Sequence, residues 1–501
     1  MAFKSKIVKP LANKISRDID KWSRTAVASQ QKIMKDLIKK AAHTQFGQDH
    51  QFSKIKTYED FKSLVPIRDY EQIKPYVQKI IDGQADVLWK GKPKYFAKTS
   101  GTTSGVKYIP LTKDSIPNHF GTARNALFNY YAKTGQGAWL DGKMIFLSGS
   151  PEMTKTSGIL TGRLSGIVNH QVPQWIRKNQ LPSYETNCIE AWEEKLEKIV
   201  EETVDQDMRL ISGIPPWVQM YYEKLLEKSG KSTISNLFPN YEVFVFGGVN
   251  FKPYQSALEQ LVGKRINTLE TYPASEGFVA FQDQLEEEGL LLNSNSGIFF
   301  EFVLAENIFD DNPERIELSE VELGKNYAII LSTNAGLWGY NLGDTVEFVS
   351  LNPYRLKVSG RIKHFISAFG EHVIGKEVEK AMEDASRESN VQVIEFSVAP
   401  QVNPGQGLPY HEWFIEFERP PTSIELFAQK LDQKMVEQNI YYKDLISGKV
   451  LKPLVITEIK KDGFRFMMRD KGKLGGQNKV PRLANDRALA DDLNGYHKNE
   501  S

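Results

Sequence analysis

The chain has 501 residues, 40% hydrophobic and 25% charged, and its 64 lysines and arginines balance 63 aspartates and glutamates to a formal net charge of +1. That composition suits two or more domains with a sizeable core, and it supplies no global field that would recommend nucleic acid or an anionic membrane as partner. The single cysteine, Cys188, excludes an internal disulfide and a thiolate metal cluster, and the histidines show no metal spacing.

The first ten residues are basic but lack an apolar core of signal-peptide length, and no later run approaches a membrane span, so cytoplasmic residence is the expectation. From about Asp18 to His43, apolar residues at helical spacing (Trp22, Val27, Ile33, Leu37, Ile38, Ala41) predict a surface-packed helix or two. Between Lys98 and Lys107 stand Thr99, Ser100, Gly101, Thr102, Thr103, Ser104 and Gly105. Glycines let a backbone approach an oxyanion, hydroxyls donate to it, and flanking lysines offset its charge. The spacing is not that of a Walker loop, because Gly101 and Gly105 are four apart and Lys107 lies two beyond the second. Tyr108 to Thr112 reads as a strand, so the expectation is a mobile loop between two strands closing over a triphosphate. A plain polar hairpin has the same composition.

Further on, helical stretches (His119 to Lys133, Glu190 to Thr203, Trp217 to Lys228) alternate with short apolar runs at 144–147, 209–211, 243–246 and 327–331, the pattern of an α/β domain. The 243–246 run ends in Gly247, Gly248, Val249 and Asn250, where α/β sheets open their ligand crevice and a flat ring can lie on glycine backbone. A tight strand-to-helix turn is the simpler account. Thr271, Tyr272, Pro273, Ala274, Ser275, Glu276 and Gly277 form a turn able to offer hydroxyls to phosphate and the Glu276 carboxylate to Mg²⁺, a hard ion that takes oxygen ligands. Asp344 follows Gly343 at a predicted strand start, where a carboxylate can accept both hydroxyls of a ribose. Arg361, after Gly360, offers a planar fork for phosphate or ribose oxygens. An exposed acidic turn and a hairpin aspartate are the plain alternatives.

Taken in order, these motifs resemble the adenylate-forming enzymes, and within them the acyl-acid amido synthetases known from plants as the auxin-responsive promoter family. The likeness rests on Ser100 to Gly105 followed by Lys107 and Pro110, on Tyr272-Pro273-Ala274-Ser275-Glu276, and on Tyr340-Asn341-Leu342-Gly343-Asp344. Gly475 to Arg482 also looks like that family's closing Gln-x-Lys-x-Pro-Arg, whose lysine is Lys479 here. The resemblance spans roughly Trp22 to Arg482 and implies an ATP- and Mg²⁺-dependent ligase that joins a carboxylic acid to an amino acid through an acyl-adenylate. It implies that Lys479 bridges carboxylate and α-phosphate, that Ser100, Gly101, Thr102, Thr103, Ser104 and Lys107 hold the leaving pyrophosphate, and that Glu276 holds Mg²⁺. Gly248, Val249, Asn250, Thr271, Tyr272, Pro273, Ser275 and Gly277 would then surround the nucleotide, with Asp344 and Arg361 on its ribose and phosphate side. Asn341 stands where the plant enzymes usually carry an arginine, and the acyl-binding helices do not align by eye, so hormone specificity does not transfer. An acyl-coenzyme A ligase shares the first half-reaction, and a non-catalytic nucleotide-binding protein is the alternative of another class.

From Gly360 onward the order is helix (Lys376 to Arg387), strand (Val391 to Ala399), strand (His411 to Glu418), helix (Ile424 to Gln438) and strand (Pro453 to Ile459). The expected fold is therefore α/β, a large N-terminal domain, 1–359, with a smaller C-terminal α+β domain, 360–501; the resemblance implies that the first is the adenylate-forming domain binding ATP and acyl group, and that the second carries Lys479 and turns on a hinge at about 360–363. The resemblance implies a monomer with small-molecule partners, and the balanced charge with no run of membrane length predicts no nucleic acid or membrane partner.

Overall fold

The computed structural model describes residues 3–102, 105–172, 174–248, 251–362, 365–366, 368–371, 373–471 and 480–498. Two compact units divide the chain: one is built from Met1–Glu190, Glu197–Gly248 and Ala257–Ile362, the other from Ala191–Leu196, Val249–Ser256 and Lys363–Ser501.

The large unit is organised around a mixed sheet. From edge to edge its strands are Ile316–Glu317, Ile298–Leu304, Asn326–Thr333, Tyr340–Leu351, Tyr354–Arg361, Leu290–Leu292, Phe278–Phe281, Asn267–Pro273, Val243–Gly247, Met208–Ser212, Lys143–Phe146 and Gln180–Leu181. The run from Asn267–Pro273 to the Gln180–Leu181 edge is parallel, and its Val243–Gly247 member reads Val-Phe-Val-Phe-Gly, the near-continuous apolar pattern of a strand covered on both faces. The remaining pairs are antiparallel. A second, four-stranded sheet holds the hydroxyl-rich segment: Tyr95–Thr102 pairs antiparallel with Gly105–Leu111, Thr99 facing Lys107, and parallel with Ile159–Gly162, which pairs in turn with Thr154–Thr156.

Helices pack on these sheets. The predicted helical region splits into Phe3–Ser23 and Ala26–Ala41, the first starting well before Asp18. Its early turns expose Ile7 and Leu11, which blurs the apolar period, while Ala12, Ile15 and Ile19 are buried with Ala126, Phe128 and Tyr130 of helix Ile116–Thr134. Helix Tyr70–Ile81 starts on a capping box, Asp69 accepting from Gln72 N–H at 3.1 Å while the Gln72 side chain accepts from Asp69 N–H. That cap fixes where Tyr70 enters the core.

The smaller unit holds a three-stranded sheet in the order Gln392–Gln401, Tyr410–Arg419, Val455–Ile459, with helices Gly375–Ser389 and Ile424–Gln438 among those flanking it. Inside it His411 and Glu371, both fully buried, are joined Nε2 to Oε1 at 2.8 Å, and the other Glu371 oxygen accepts from Phe369 N–H at 2.8 Å. Hydrogen bonds of this kind offset the cost of burying polar side chains.

Candidate active site

Two parallel strands end side by side where the site is expected. Gly247 lies in register with Thr271, so the Gly-Gly pair and the 271–277 turn share the carboxyl edge of the sheet. The two glycines answer different demands. A Cβ on Gly247 would lie 2.2 Å from the Thr271 carbonyl oxygen, so glycine lets the strands close. Gly248 has open space around it but φ of +77°, a conformation that favours glycine. The Thr271 hydroxyl donates to Phe246 O at 2.9 Å. Its one proton is thereby used on the backbone, and it has none left for a phosphate oxygen.

After Pro273 the chain makes a tight turn closed by Ala274 N–H to Gly277 O at 3.0 Å and Gly277 N–H to Ala274 O at 3.2 Å. The next residue is held too: Phe278 N–H donates to Asn118 Oδ1 at 2.7 Å. Glu276 sits on this turn, buried at 8% exposure, and its Oε1 accepts from the Tyr340 hydroxyl at 3.2 Å. The Tyr340 oxygen in turn accepts from Lys107 Nζ at 3.3 Å. Burial first, then the Glu276 charge, pushes the Tyr340 phenol well above its ordinary pKa, so it remains a protonated donor. Tyr108, beside Lys107, is fixed by its N–H donating to the Tyr70 hydroxyl at 2.8 Å.

Asp344 is the fifth residue of strand Tyr340–Leu351 rather than its start, paired with Arg361 across the ladder. Its Oδ2 accepts from the Tyr272 hydroxyl at 2.6 Å, and both side chains are buried. Tyr272 packs with Val279, Ala280 and Leu342, so its ring is core and its hydroxyl orients the aspartate. Gly343, with φ of +88°, turns its carbonyl to Ile362 N–H at 2.9 Å.

Of the residues singled out in the sequence, Lys107, Gly248, Thr271, Tyr272, Pro273, Ser275, Glu276, Gly277 and Asp344 are thus placed within the large unit. For Ser100, Gly101, Thr102 and Arg361 the backbone course is described: the first three end strand Tyr95–Thr102, so the hairpin is tighter than a loop spanning 98–107, and Arg361 ends its own strand. Thr103, Ser104, Val249, Asn250 and Lys479 lie outside the described residues. Trp338, two residues before Tyr340, is fully buried against Phe46, Phe52 and Trp89, and is core. The Tyr340 hydroxyl, which joins Lys107 to Glu276, has no signal of its own in the sequence. The residue stands in the quoted Tyr-Asn-Leu-Gly-Asp motif, yet an aromatic at a strand start reads as packing.

Among the described residues, no group of three or more His, Cys, Asp or Glu side chains could hold a metal ion. A site of one buried carboxylate, with phosphate oxygens and waters supplying the rest, is how Mg²⁺ is commonly bound beside a nucleotide, and Glu276 fits that donor chemistry. Among the described residues, no helix is long and apolar enough to cross a membrane.

Comparison with known proteins gives three matches to models of one family: its N-terminal domain over residues 15–185 and 160–266, its central domain over 291–361 and its C-terminal domain over 376–488. The chain belongs to the GH3 family. Among GH3 relatives, a jasmonoyl–L-amino acid synthetase of Oryza sativa subsp. japonica is 22% identical, the match covering 93% of this chain and 94% of the relative. An indole-3-acetic acid-amido synthetase of Arabidopsis thaliana is also 22% identical, with 94% and 91% covered. In structure, an acyl acid amido synthetase in complex with 2,4-DB superposes with a TM-score of 0.62 at 16% identity, covering 97% of this chain and 96% of that one. A 2-hydroxyisobutyryl-CoA ligase superposes at 0.56 and 12% identity, covering 96% and 93%. The fold is thus shared with an amido synthetase and with a coenzyme A ligase.

Proposed function

We propose that this chain is an ATP-dependent ligase that activates a carboxylic acid as its acyl-adenylate and transfers the acyl group to an amino acid, forming an amide and releasing AMP and pyrophosphate. The observation that carries this reading is the bonded line from the hydroxyl-rich hairpin through Lys107 and Tyr340 to Glu276, beside the adjoining ends of strands Val243–Gly247 and Asn267–Pro273. Membership of a family whose relatives carry amido synthetase names supports it.

In the first half-reaction a carboxylate oxygen of the acid attacks the α-phosphorus of ATP, and pyrophosphate leaves with the electrons of the broken P–O bond. Two anions must meet, so cationic and hydrogen-bonding groups have to be in place beforehand. Lys107 and the hydroxyls of Ser100, Thr102, Thr103 and Ser104 hold the pyrophosphate oxygens. Glu276 holds Mg²⁺, which when bound supplies positive charge to the phosphates. Asp344, oriented by Tyr272, accepts ribose hydroxyls, and Gly248 with the 272–277 turn borders the base. Lys479 is assigned from its sequence motif to the oxygens between which the new bond forms. In the second half-reaction the amine nitrogen attacks the acyl carbon, AMP departs with the electrons of the C–O bond, and the nitrogen releases its proton to solvent. No covalent enzyme intermediate is required.

ATP–pyrophosphate exchange across a panel of carboxylic acids tests the reading, with Lys479→Ala expected to abolish exchange while leaving ATP binding within a few-fold. Absence of exchange with every acid tried would leave a nucleotide-binding protein. Trapping of the activated acid by coenzyme A rather than by amines would turn the reading to a coenzyme A ligase, whose fold is the same.

A further inference from the structure

Tyr340 combines two environments that seldom meet in one side chain. Its ring is fully buried in the cluster that includes Phe96, Ile109, Phe299, Leu337 and Trp338. Its backbone is held on both sides by one loop residue: Arg68 N–H donates to Gly339 O at 2.8 Å, and Asn341 N–H donates to Arg68 O at 2.7 Å. On its other flank it is paired with Leu331 in the large sheet. A ring packed this way leaves the hydroxyl little freedom, and that hydroxyl is the group that Glu276 Oε1 touches. Glu276 has its backbone fixed by the Ala274–Gly277 turn and the Asn118 bond to Phe278, so the hydroxyl sets the remaining freedom of the carboxylate. A phenol oxygen accepts and donates at once, and here it accepts from Lys107 and donates to Glu276.

We propose that Tyr340 is a positioning residue: its hydroxyl fixes one oxygen of Glu276 so that the carboxylate presents itself to the ATP-bound cation in one orientation, and it couples that orientation to Lys107 on the hydroxyl-rich hairpin. The inference rests on the reading of Glu276 as the Mg²⁺ ligand. Mg²⁺ demands near-ideal octahedral geometry, so a carboxylate free to rotate binds it less well. Groups that orient a metal ligand typically contribute 10- to 100-fold in affinity.

The test is Tyr340→Phe, which removes one oxygen and keeps the ring. The Mg²⁺ concentration for half-maximal stabilisation of the protein by ATP is read from thermal unfolding, and the Mg²⁺ dependence of ATP–pyrophosphate exchange is measured alongside. The expected result is a roughly 10-fold or larger rise in the Mg²⁺ requirement in both assays, with exchange recovering at saturating Mg²⁺ and the unliganded melting temperature nearly unchanged. Glu276→Gln should lose the Mg²⁺ response and not recover it. Glu276→Asp withdraws the carboxylate from the phenol by one methylene, so adding Tyr340→Phe to it should produce little further change, the signature of two residues acting as one unit. Wild-type Mg²⁺ dependence in Tyr340→Phe with a defective Glu276→Gln would overturn the positioning role and leave the ligand assignment standing. A Glu276→Gln variant with normal Mg²⁺ dependence would remove the ligand assignment itself, and fully additive effects in the double variant would also overturn the coupling.

Discussion

Replacing Gly247 by alanine asks a single methyl group to enter a space that does not exist. The new Cβ would lie 2.2 Å from the Thr271 carbonyl oxygen and 2.8 Å from its hydroxyl oxygen. Since non-bonded heavy atoms settle near 3.5 Å, strands Val243–Gly247 and Asn267–Pro273 would have to part by roughly 1 Å at this point. Overpacking of that kind costs about 1–3 kcal/mol. Its larger effect should be on rate, because the displaced strand leads within five residues into Glu276. A misplacement of about 1 Å is worth on the order of 100-fold when the geometry of reacting groups matters. Gly247→Ala is therefore expected to cut ATP–pyrophosphate exchange by about two orders of magnitude while lowering the melting temperature by only a few degrees. Gly248→Ala is the control for stability alone: open space surrounds that position in the protein, so its melting temperature should register only the strain of a positive φ, about 1 kcal/mol. Normal exchange and an unchanged melting temperature in Gly247→Ala would refute the argument that strand contact, rather than a ligand, requires this glycine.

Thr271→Val removes the hydroxyl bonded to Phe246 O, and should cost about 1 kcal/mol of stability with exchange within about two-fold; a large loss of exchange at unchanged stability would mean that the hydroxyl serves a phosphate after all. Arg355 grips Asp283 through two bonds of 2.9 and 2.8 Å, both side chains buried, so Arg355→Met should destabilise by about 3–5 kcal/mol in denaturant unfolding. Converting Asp283 to leucine as well should restore most of that loss. Burial raises Glu242 to about 7, against the opposing backbone bonds from Ala138 and Trp139. A carboxyl raised on folding contributes stability below its unfolded value near 4.5 that is lost as pH climbs through about 7. Glu242→Gln should therefore gain on wild type between pH 5 and pH 8, by about 1–2 kcal/mol after allowing for solvent screening of a half-buried group. Melting curves of the two proteins at both pH values check this, and a gap that does not widen with pH would refute it.

The fold was legible wherever apolar residues recurred at one period over a whole element. Strand 243–246 and helix Ile424–Gln438 sit where the pattern puts them. Helix Phe3–Ser23 was half hidden because its first turns bury small or polar residues such as Ser5 and Ala12. The candidate site was legible as a set of loops and strand ends, since glycine, proline and hydroxyl clusters mark where backbone must turn. Which atom those groups face was not. Thr271 and Tyr272 both carry hydroxyls beside Glu276, yet one bonds to the Phe246 carbonyl and the other to Asp344, a partner 72 residues on. Such pairings arise from strand order, and strand order is a property of the assembled sheet. Tyr340 shows the same limit from the other side: periodicity reports its ring and is blind to its oxygen.

That residue also has a bearing on how the protein can be improved, whether by selection or in the laboratory. Stability is ordinarily gained by repacking cores, and activity by altering sites, through separate sets of positions. Around Tyr340 the two sets overlap, because the ring whose oxygen meets Glu276 belongs to the same apolar cluster as Phe96, Ile109, Leu337 and Trp338. On the positioning role proposed for Tyr340, a thermostabilising change in this cluster shifts the Glu276 carboxylate as well, so heat tolerance is better sought elsewhere, for instance in the separate apolar cluster of Phe414, Phe464 and Leu493. Conversely, the same proposal predicts altered Mg²⁺ dependence in variants at Trp338 or Ile109, fully buried positions that a screen restricted to pocket-lining residues would pass over.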